Sequence, residues 1–264
     1  MKVHIFSSFF ILTGLILLVG LACGTTTATP TQQPIATPTL PPIQQPTQEP
    51  TAAPTLPPVQ QPTQPLVVTA TEAPTPPVYF TEEFNGKIPD WSYYVMRGDK
   101  KLMNLDINNG NLVFNLTGQY LYVYLTYNPW TYEDASIDVI ADNRGMNDNN
   151  VSLICRYSKQ EGWYEFNISN DGLWKVFVYD ITTGGDYQML NSGSSTAIHV
   201  GKAVNEYAAI CQGTTLSLYI NGVKTTSFEE HKYALRKGLV GIGVASYETL
   251  PVIVEFDKVA ISKP

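Results

Sequence analysis

Charge is scarce in this chain of 264 residues: Asp, Glu, Lys and Arg together make up 15%, and no basic run occurs anywhere. A nucleic-acid partner calls for a cationic stripe to neutralise phosphates, so the composition predicts no nucleic-acid binding. Histidine is reduced to His4, His199 and His231, none of them in a metal-binding spacing. No GxSxG and no CxxC is present, which removes the common marks of a serine hydrolase and of a redox or zinc site. Helical periodicity is missing as well, because no segment repeats apolar residues at spacings of three and four over the length a helix needs. Cysteine is limited to Cys23, Cys155 and Cys211.

What the chain does contain is sharply partitioned. Lys2 followed by the apolar stretch Ile5 to Leu21 has the length and flanks of a secretory signal, short of the ~20 apolar residues of a membrane span. Ala22 is the small residue a signal peptidase accepts, and LVGLAC resembles the lipobox of bacterial lipoproteins, with Gly20 in the place of the usual leucine and Leu21 one step later. That resemblance implies a signal peptide over 1–22 and a lipid on Cys23. An uncleaved anchor or an ordinary secretory signal is the alternative; each exports the rest of the chain.

Residues 23–77 form the next block. Between Gly24 and Pro77 lie fifteen of the nineteen prolines, only Glu49 and Glu72 as charges, and no aromatic residue. Such a composition cannot bury enough apolar surface to offset chain entropy, so a disordered Pro/Thr/Gln-rich tether is expected. PTLPPIQQPTQ at Pro38 returns as PTLPPVQQPTQ at Pro54, which reads as duplicated spacer units. At ~3.1 Å per residue in polyproline II, the tether could reach roughly 165 Å.

Residues 78–264 carry every Lys and Arg except Lys2, and every Asp and Glu except Glu49 and Glu72. Short alternating runs follow one another with turn residues between them, among them LYVYLTY, ASIDVIA, VSLICRY, WYEFNIS, LWKVFVY, EYAAIC and LVGIGVAS. Strands at this spacing predict an all-β, two-sheet antiparallel sandwich. Asn221-Gly222 is the two-residue turn that needs positive φ at both positions. It aligns Ile220 with Val223, sends Leu216, Leu218 and Ile220 inward, and through the pairing of Cys211 with Leu216 buries Tyr207, Ala209 and Cys211. In VSLICRY the alternation turns Val151, Leu153, Cys155 and Tyr157 inward. Two inward cysteines in an exported domain predict a Cys155–Cys211 disulfide, with two buried free thiols as the alternative.

CRYSKQEGWYEFNISNDG, NEYAAICQGTTLSLYINGV, LRKGLVGIGVAS and VEFDKVAIS together resemble the concanavalin A-like lectin and glucanase superfamily. They are most similar to its laminin-G-like and 3-keto-disaccharide-hydrolase-like branch. The resemblance implies a jelly roll of two curved sheets, with carbohydrate taken on the concave face or its rim. Retaining glucanases of that superfamily carry two glutamates flanking an aspartate on one strand, because nucleophile and acid must sit ~5 Å apart. In SIDVIA, Ser136 and Ala141 stand where those glutamates would be and only Asp138 remains, so no catalytic residue is assigned. The oxygen-rich DNRGMNDNN, Asp142 to Asn150, is a candidate calcium loop against a plain solvated turn. No other cofactor is expected.

Pairing Tyr157 with Tyr164, and turning the chain at Asn170-Asp171-Gly172, puts three strands in one register. One side then faces the core with Tyr164, Phe166, Ile168, Trp174, Val176 and Val178. The other presents Arg156, Trp163, Glu165, Asn167, Lys175, Phe177 and Tyr179. Flat apolar rings beside charged and amide groups suit a sugar, whose C–H face stacks while its hydroxyls hydrogen-bond. The alternatives are that the segment from Phe84 to Tyr127 covers this face, or that Arg156 and Glu165 form only a cross-strand ion pair. The expected protein is thus an extracytoplasmic lipoprotein, anchored to the membrane through its lipid, whose jelly roll binds a glycan or other envelope polymer without catalysis. A hydrolase of modified, 3-keto-type sugars and a structural or adhesion module are the alternatives.

Overall fold

A computed structural model describes residues 75–264. The signal, Cys23 and nearly all of the tether lie outside the described residues. Alternation of apolar and polar residues produces fifteen strands: β1 (Phe80–Glu82), β2 (Trp91–Arg97), β3 (Met103–Asn108), β4 (Asn111–Leu116), β5 (Tyr122–Tyr132), β6 (Ala135–Asn143), β7 (Asn149–Ser158), β8 (Gly162–Ser169), β9 (Leu173–Asp180), β10 (Asp186–Ser194), β11 (Val204–Gln212), β12 (Thr215–Ile220), β13 (Val223–Glu229), β14 (Gly238–Ser246) and β15 (Val252–Ser262). Among the described residues the only helical element is a 3-10 turn, Lys100–Leu102.

The strands form two antiparallel sheets. One runs β13-β12-β11-β6-β15-β4-β3, with β1 pairing the far half of β15, and the other runs β10-β9-β8-β7-β14-β5-β2. Their inner faces meet in one core. From the first sheet come Phe114, Ile137, Val139, Leu218, Val254 and Phe256; from the second, Leu125, Leu153, Phe166, Val176, Ile242 and Val244.

Asn221 and Gly222 both have positive φ, and Ile220 faces Val223 as the turn chemistry requires. Cys211 pairs with Leu216, so Tyr207, Ala209 and Cys211 point into the core. Cys155 on β7 and Cys211 on β11 are joined in a disulfide with Cα atoms 6.6 Å apart, which staples one sheet to the other across the core. The domain also begins before Val78. Trp130 Nε1 donates to the Pro76 carbonyl, and the Tyr127 and Tyr132 hydroxyls donate to those of Pro77 and Val78.

One expected register is displaced. Cys155, not Tyr157, lies opposite Tyr164, because Arg156 and Tyr157 together form a bulge before Ser158 pairs with Gly162. Arg156 sits at φ 55°, and a Cβ on Gly238 of the neighbouring strand would run into the backbone of both bulge residues. The extra residue reverses the facing of the chain beyond it. Tyr157, expected in the core, therefore lies among the aromatic rings on the outer face of the second sheet.

Candidate functional site

That outer face is concave. Neighbouring strands are ~4.8 Å apart, so β2 and β8, four steps apart in the sheet order, would be separated by about 19 Å if the sheet were flat. Yet the rings of Tyr94 on β2 and Trp163 on β8 have centroids 6.3 Å apart, which requires the sheet to curl around them. Glycine makes room. Gly243 stands between these strands on β14, and a Cβ there would strike the ring of Tyr124. Without it, Tyr124 lies down across the sheet and reaches β8.

Glu165 is what it reaches. The carboxylate is 2% exposed and accepts from the Tyr124 hydroxyl at 3.0 and 3.1 Å, Ser152 Oγ at 2.7 Å, Trp163 Nε1 at 3.2 Å and Asn167 Nδ2 at 3.3 Å. Since the single Tyr124 proton goes to Glu165, Tyr187 is the donor in the 2.8 Å contact between the two phenols. Burial, reinforced by the nearby Glu165 charge, pushes the Tyr124 and Tyr187 pKa values well above the ordinary phenol value. Both hydroxyls stay protonated, so the relay Tyr187 to Tyr124 to Glu165 is fixed in direction. A buried charge with this many donors is satisfied in place.

Two depressions flank the relay. The smaller, about 160 Å³, is lined by Tyr122, Tyr124, Asn150, Glu165, Asn167, Lys175, Phe177, Tyr187, Ala245 and Tyr247. Asn150 is 1% exposed; its Oδ1 accepts from the Tyr247 hydroxyl, while its Nδ2 has no hydrogen-bond partner among the described residues. A buried amide donor left unpaired costs stability, and such a donor lining a pocket points to a ligand acceptor. Burial raises the Tyr247 phenol to about 12, keeping it a donor to Asn150. The second depression, about 510 Å³, is lined by Tyr94, Met96, Tyr157, Lys159, Trp163, Tyr179, Ile181, Gly184 and Gly185. A larger opening of about 1050 Å³ lies where the β2 and β3 edges leave the sandwich unbridged, and its floor is the core side chains Phe84, Leu112 and Leu125. The concave face combines rings with buried polar groups and is the better candidate.

Of the residues singled out in the sequence, Glu165, Asn167, Lys175 and Phe177 come together around the smaller depression, and Trp163 and Tyr179 around the second. The segment from Phe84 to Tyr127 does not lie over the face as a layer, since its strands β2 and β5 extend the same sheet, but its Tyr94 and Tyr124 side chains do cover Trp163 and Glu165. Trp163 is not open to solvent. It is 2% exposed beneath a stack with Tyr179 at 4.3 Å and contacts to Tyr94, Tyr157 and Tyr187.

Arg156 belongs elsewhere. Turned by the bulge, it donates to the carbonyls of Glu133, Leu235 and Gly213 at 2.8 to 2.9 Å and lies 3.5 Å from Asp134, so it ties loops together and does not pair with Glu165. Asn150, one residue ahead of the VSLICRY run on β7, and Tyr122, Tyr124, Tyr187 and Tyr247, from β5, β10 and the turn after β14, complete the site. In the sequence Asn150 stands out only as the end of the oxygen-rich Asp142 to Asn150 stretch, and Tyr122 and Tyr124 only as alternate residues of the LYVYLTY run.

Asp138 of SIDVIA stands on β6, in the other sheet, where Ser136 donates to it at 2.8 Å. In the Asp142 to Asn150 stretch the oxygens hold the loop. Asn143 donates to Asn147, Asn149 to Asn143, and Asn170 to Asn149, while Asp142 pairs with Arg144 at 3.0 Å. Among the described residues no group of three or more His, Cys, Asp or Glu is placed to hold a metal ion.

No family model matches the chain, and no curated protein matches it. Solved structures do. A protein of unknown function with a galectin-like fold from Bacillus subtilis superposes with a TM-score of 0.53 at 8% identity, over 70% of this chain and 94% of that one. The laminarinase catalytic domain from Thermotoga maritima gives 0.52 at 12% identity, over 70% and 97%. A β-glucanase from Bacillus licheniformis gives 0.51 at 14% identity, over 70% and 98%. The fold is the concanavalin A-like jelly roll.

Proposed function

We propose that residues 75–264 are a carbohydrate-binding domain, displayed outside the cytoplasm by a lipid on Cys23, that holds a glycan or other envelope polymer on its concave face without cleaving it. The unpaired, buried Nδ2 of Asn150 in a ring-lined depression carries this reading. Phe177, Tyr187, Tyr122 and Tyr247 supply stacking surfaces, and Asn150, Asn167 and Lys175 supply donors for hydroxyls.

The likeness to glucanases favours a second reading, hydrolysis. Retaining glycosidases use two carboxyl groups ~5 Å apart. On this face Glu165 is the carboxylate among the residues lining the two depressions, and its oxygens are taken up by five hydrogen bonds from four side chains. That arrangement supports holding over cleaving. The test is a glycan array probed with the exported full-length protein, beside an assay of product release from 3-keto-glycosides and β-glucans. Binding without product is expected, and Asn150→Ala should weaken it about tenfold, the worth of one hydrogen bond, with the melting temperature within a few degrees of the parent. Turnover would establish the hydrolase, and an unaltered affinity in Asn150→Ala would move the site off this pocket.

A further inference from the structure

The proposed site uses only one of the two depressions on the concave face. The second shares no lining residue with it and is bordered by Tyr94, Met96, Tyr157, Trp163, Tyr179 and Ile181. These side chains stand outside the core between the sheets, and the rings of Tyr94, Tyr157 and Tyr179 are only half-buried. Trp163 is their floor, stacked on Tyr179 at 4.3 Å and 5.3 Å from Tyr157. Partly open rings gathered around a depression, away from the core, mark a binding surface. The Tyr94 hydroxyl is buried there, close to that of Tyr157 but in hydrogen-bond geometry with no group among the described residues. Burial pushes its pKa far above the ordinary phenol value, so it keeps its proton and remains a free donor. The second depression therefore repeats the chemistry of the first: rings, one buried donor without a partner, and an exposed lysine, Lys159 here and Lys175 there.

The two are offset along the strands. Strand β7 gives Asn150 to the first and Tyr157 to the second, β8 gives Asn167 and Trp163, and β9 gives Phe177 and, just past its end, Ile181. From Asn167 to Trp163 is about 13 Å at the rise of an extended strand. Between the depressions Tyr187 meets Tyr124 hydroxyl to hydroxyl at 2.8 Å. Both rings line the first depression and pack on rings of the second, Tyr124 on Tyr94 at 5.3 Å and Tyr187 on Tyr179 at 4.9 Å. Tyr187 is itself half-buried, so it presents ring surface to a chain passing over it. The first depression is open on several sides, because Tyr122, Asn167, Phe177 and Tyr247 are half-buried and Lys175 is exposed.

We infer that the second depression is a second sugar subsite, and that one glycan chain lies along the strands, crosses Tyr187 and fills both. The inference rests on the carbohydrate reading above and adds a subsite, its residues and the direction of the polymer. A single sugar ring is shorter than the offset and occupies one depression at a time. An oligomer that spans the offset occupies both, its second contact being made within the same complex.

The exported full-length protein would be titrated with gluco-, manno-, galacto-, fructo- and chito-oligosaccharide ladders, each beginning with the free monosaccharide. In the ladder that binds, affinity is expected to climb by about tenfold or more until the oligomer spans both depressions, and to level off beyond that length. Ile181→Trp, which fills the second depression from the turn after β9, should hold every oligomer at the affinity of the shortest ligand. That shortest ligand should bind as it does to the parent, which also reports an intact fold. Tyr94→Phe, which removes only the free donor, should cost the spanning oligomer about tenfold, the worth of one hydrogen bond, and the shortest ligand nothing. Affinity independent of length in the parent, or a length dependence that both variants keep, overturns the second subsite and leaves carbohydrate binding standing. No binding in any ladder overturns both.

Discussion

Trp163 is the residue on which the concave face depends most. Its indole donates to Glu165, stacks on Tyr179 and is covered by Tyr94, Tyr157 and Tyr187, so it forms the floor of an aromatic cluster separate from the core between the sheets. Trp163→Ala would leave a cavity there and remove one of the donors that hold a buried charge. A loss of about 3–5 kcal/mol is expected in denaturant unfolding, close to that of Trp174→Ala in the main core. If the variant unfolds like the parent, the indole is not packed as described. The strand alternation of WYEFNIS assigned Trp163 to the correct face, opposite Tyr164 and Phe166. It could not report that rings from β2, β7, β9 and β10 converge above it, because exposure depends on strands distant in sequence.

At the scale of the element, β7 holds together most of the architecture. Its first half supplies Asn150 and Ser152 to the site and Leu153 to the core. Its Cys155 crosses to β11, and its bulge then hands Arg156 to the loops and Tyr157 to the concave face. The Cys155–Cys211 pairing was legible because strand alternation and one Asn-Gly turn fix which way both cysteines point. The bulge was not, since it depends on room left by Gly238 on a strand some eighty residues away. Mass mapping of the native protein is expected to find one linked peptide pair and no alkylatable thiol at either position. The Cys155→Ser/Cys211→Ser double variant should lose about 4 kcal/mol, the entropy of closing a loop with a sequence separation of 56. Unchanged stability would show that the core alone sets the sheet spacing.

For the whole molecule, the described domain begins where aromatic side chains grip the backbone at Pro76, Pro77 and Val78. A Pro-rich segment ahead of a gripped start is the arrangement expected of a domain held away from a surface, and Cys23→Ser tests it. The variant should move from the membrane fraction to the soluble fraction; if it fractionates with membranes as the parent does, the lipid reading fails.

The sequence alone determined the all-β class, the Asn221-Gly222 hairpin, the β8–β9 register and the cysteine pair. Each follows from local composition, from a period of two, or from backbone conformations that one dipeptide adopts readily. Tertiary structure alone decided which further residues the candidate site gathers on the concave face. The curl that brings Tyr94 against Trp163, the bulge that diverts Arg156, and the unpaired amide of Asn150 among rings from β5, β9, β10 and the turn after β14 are products of sheet order and sheet curvature. Those arise from non-local packing, and no window along the chain contains them.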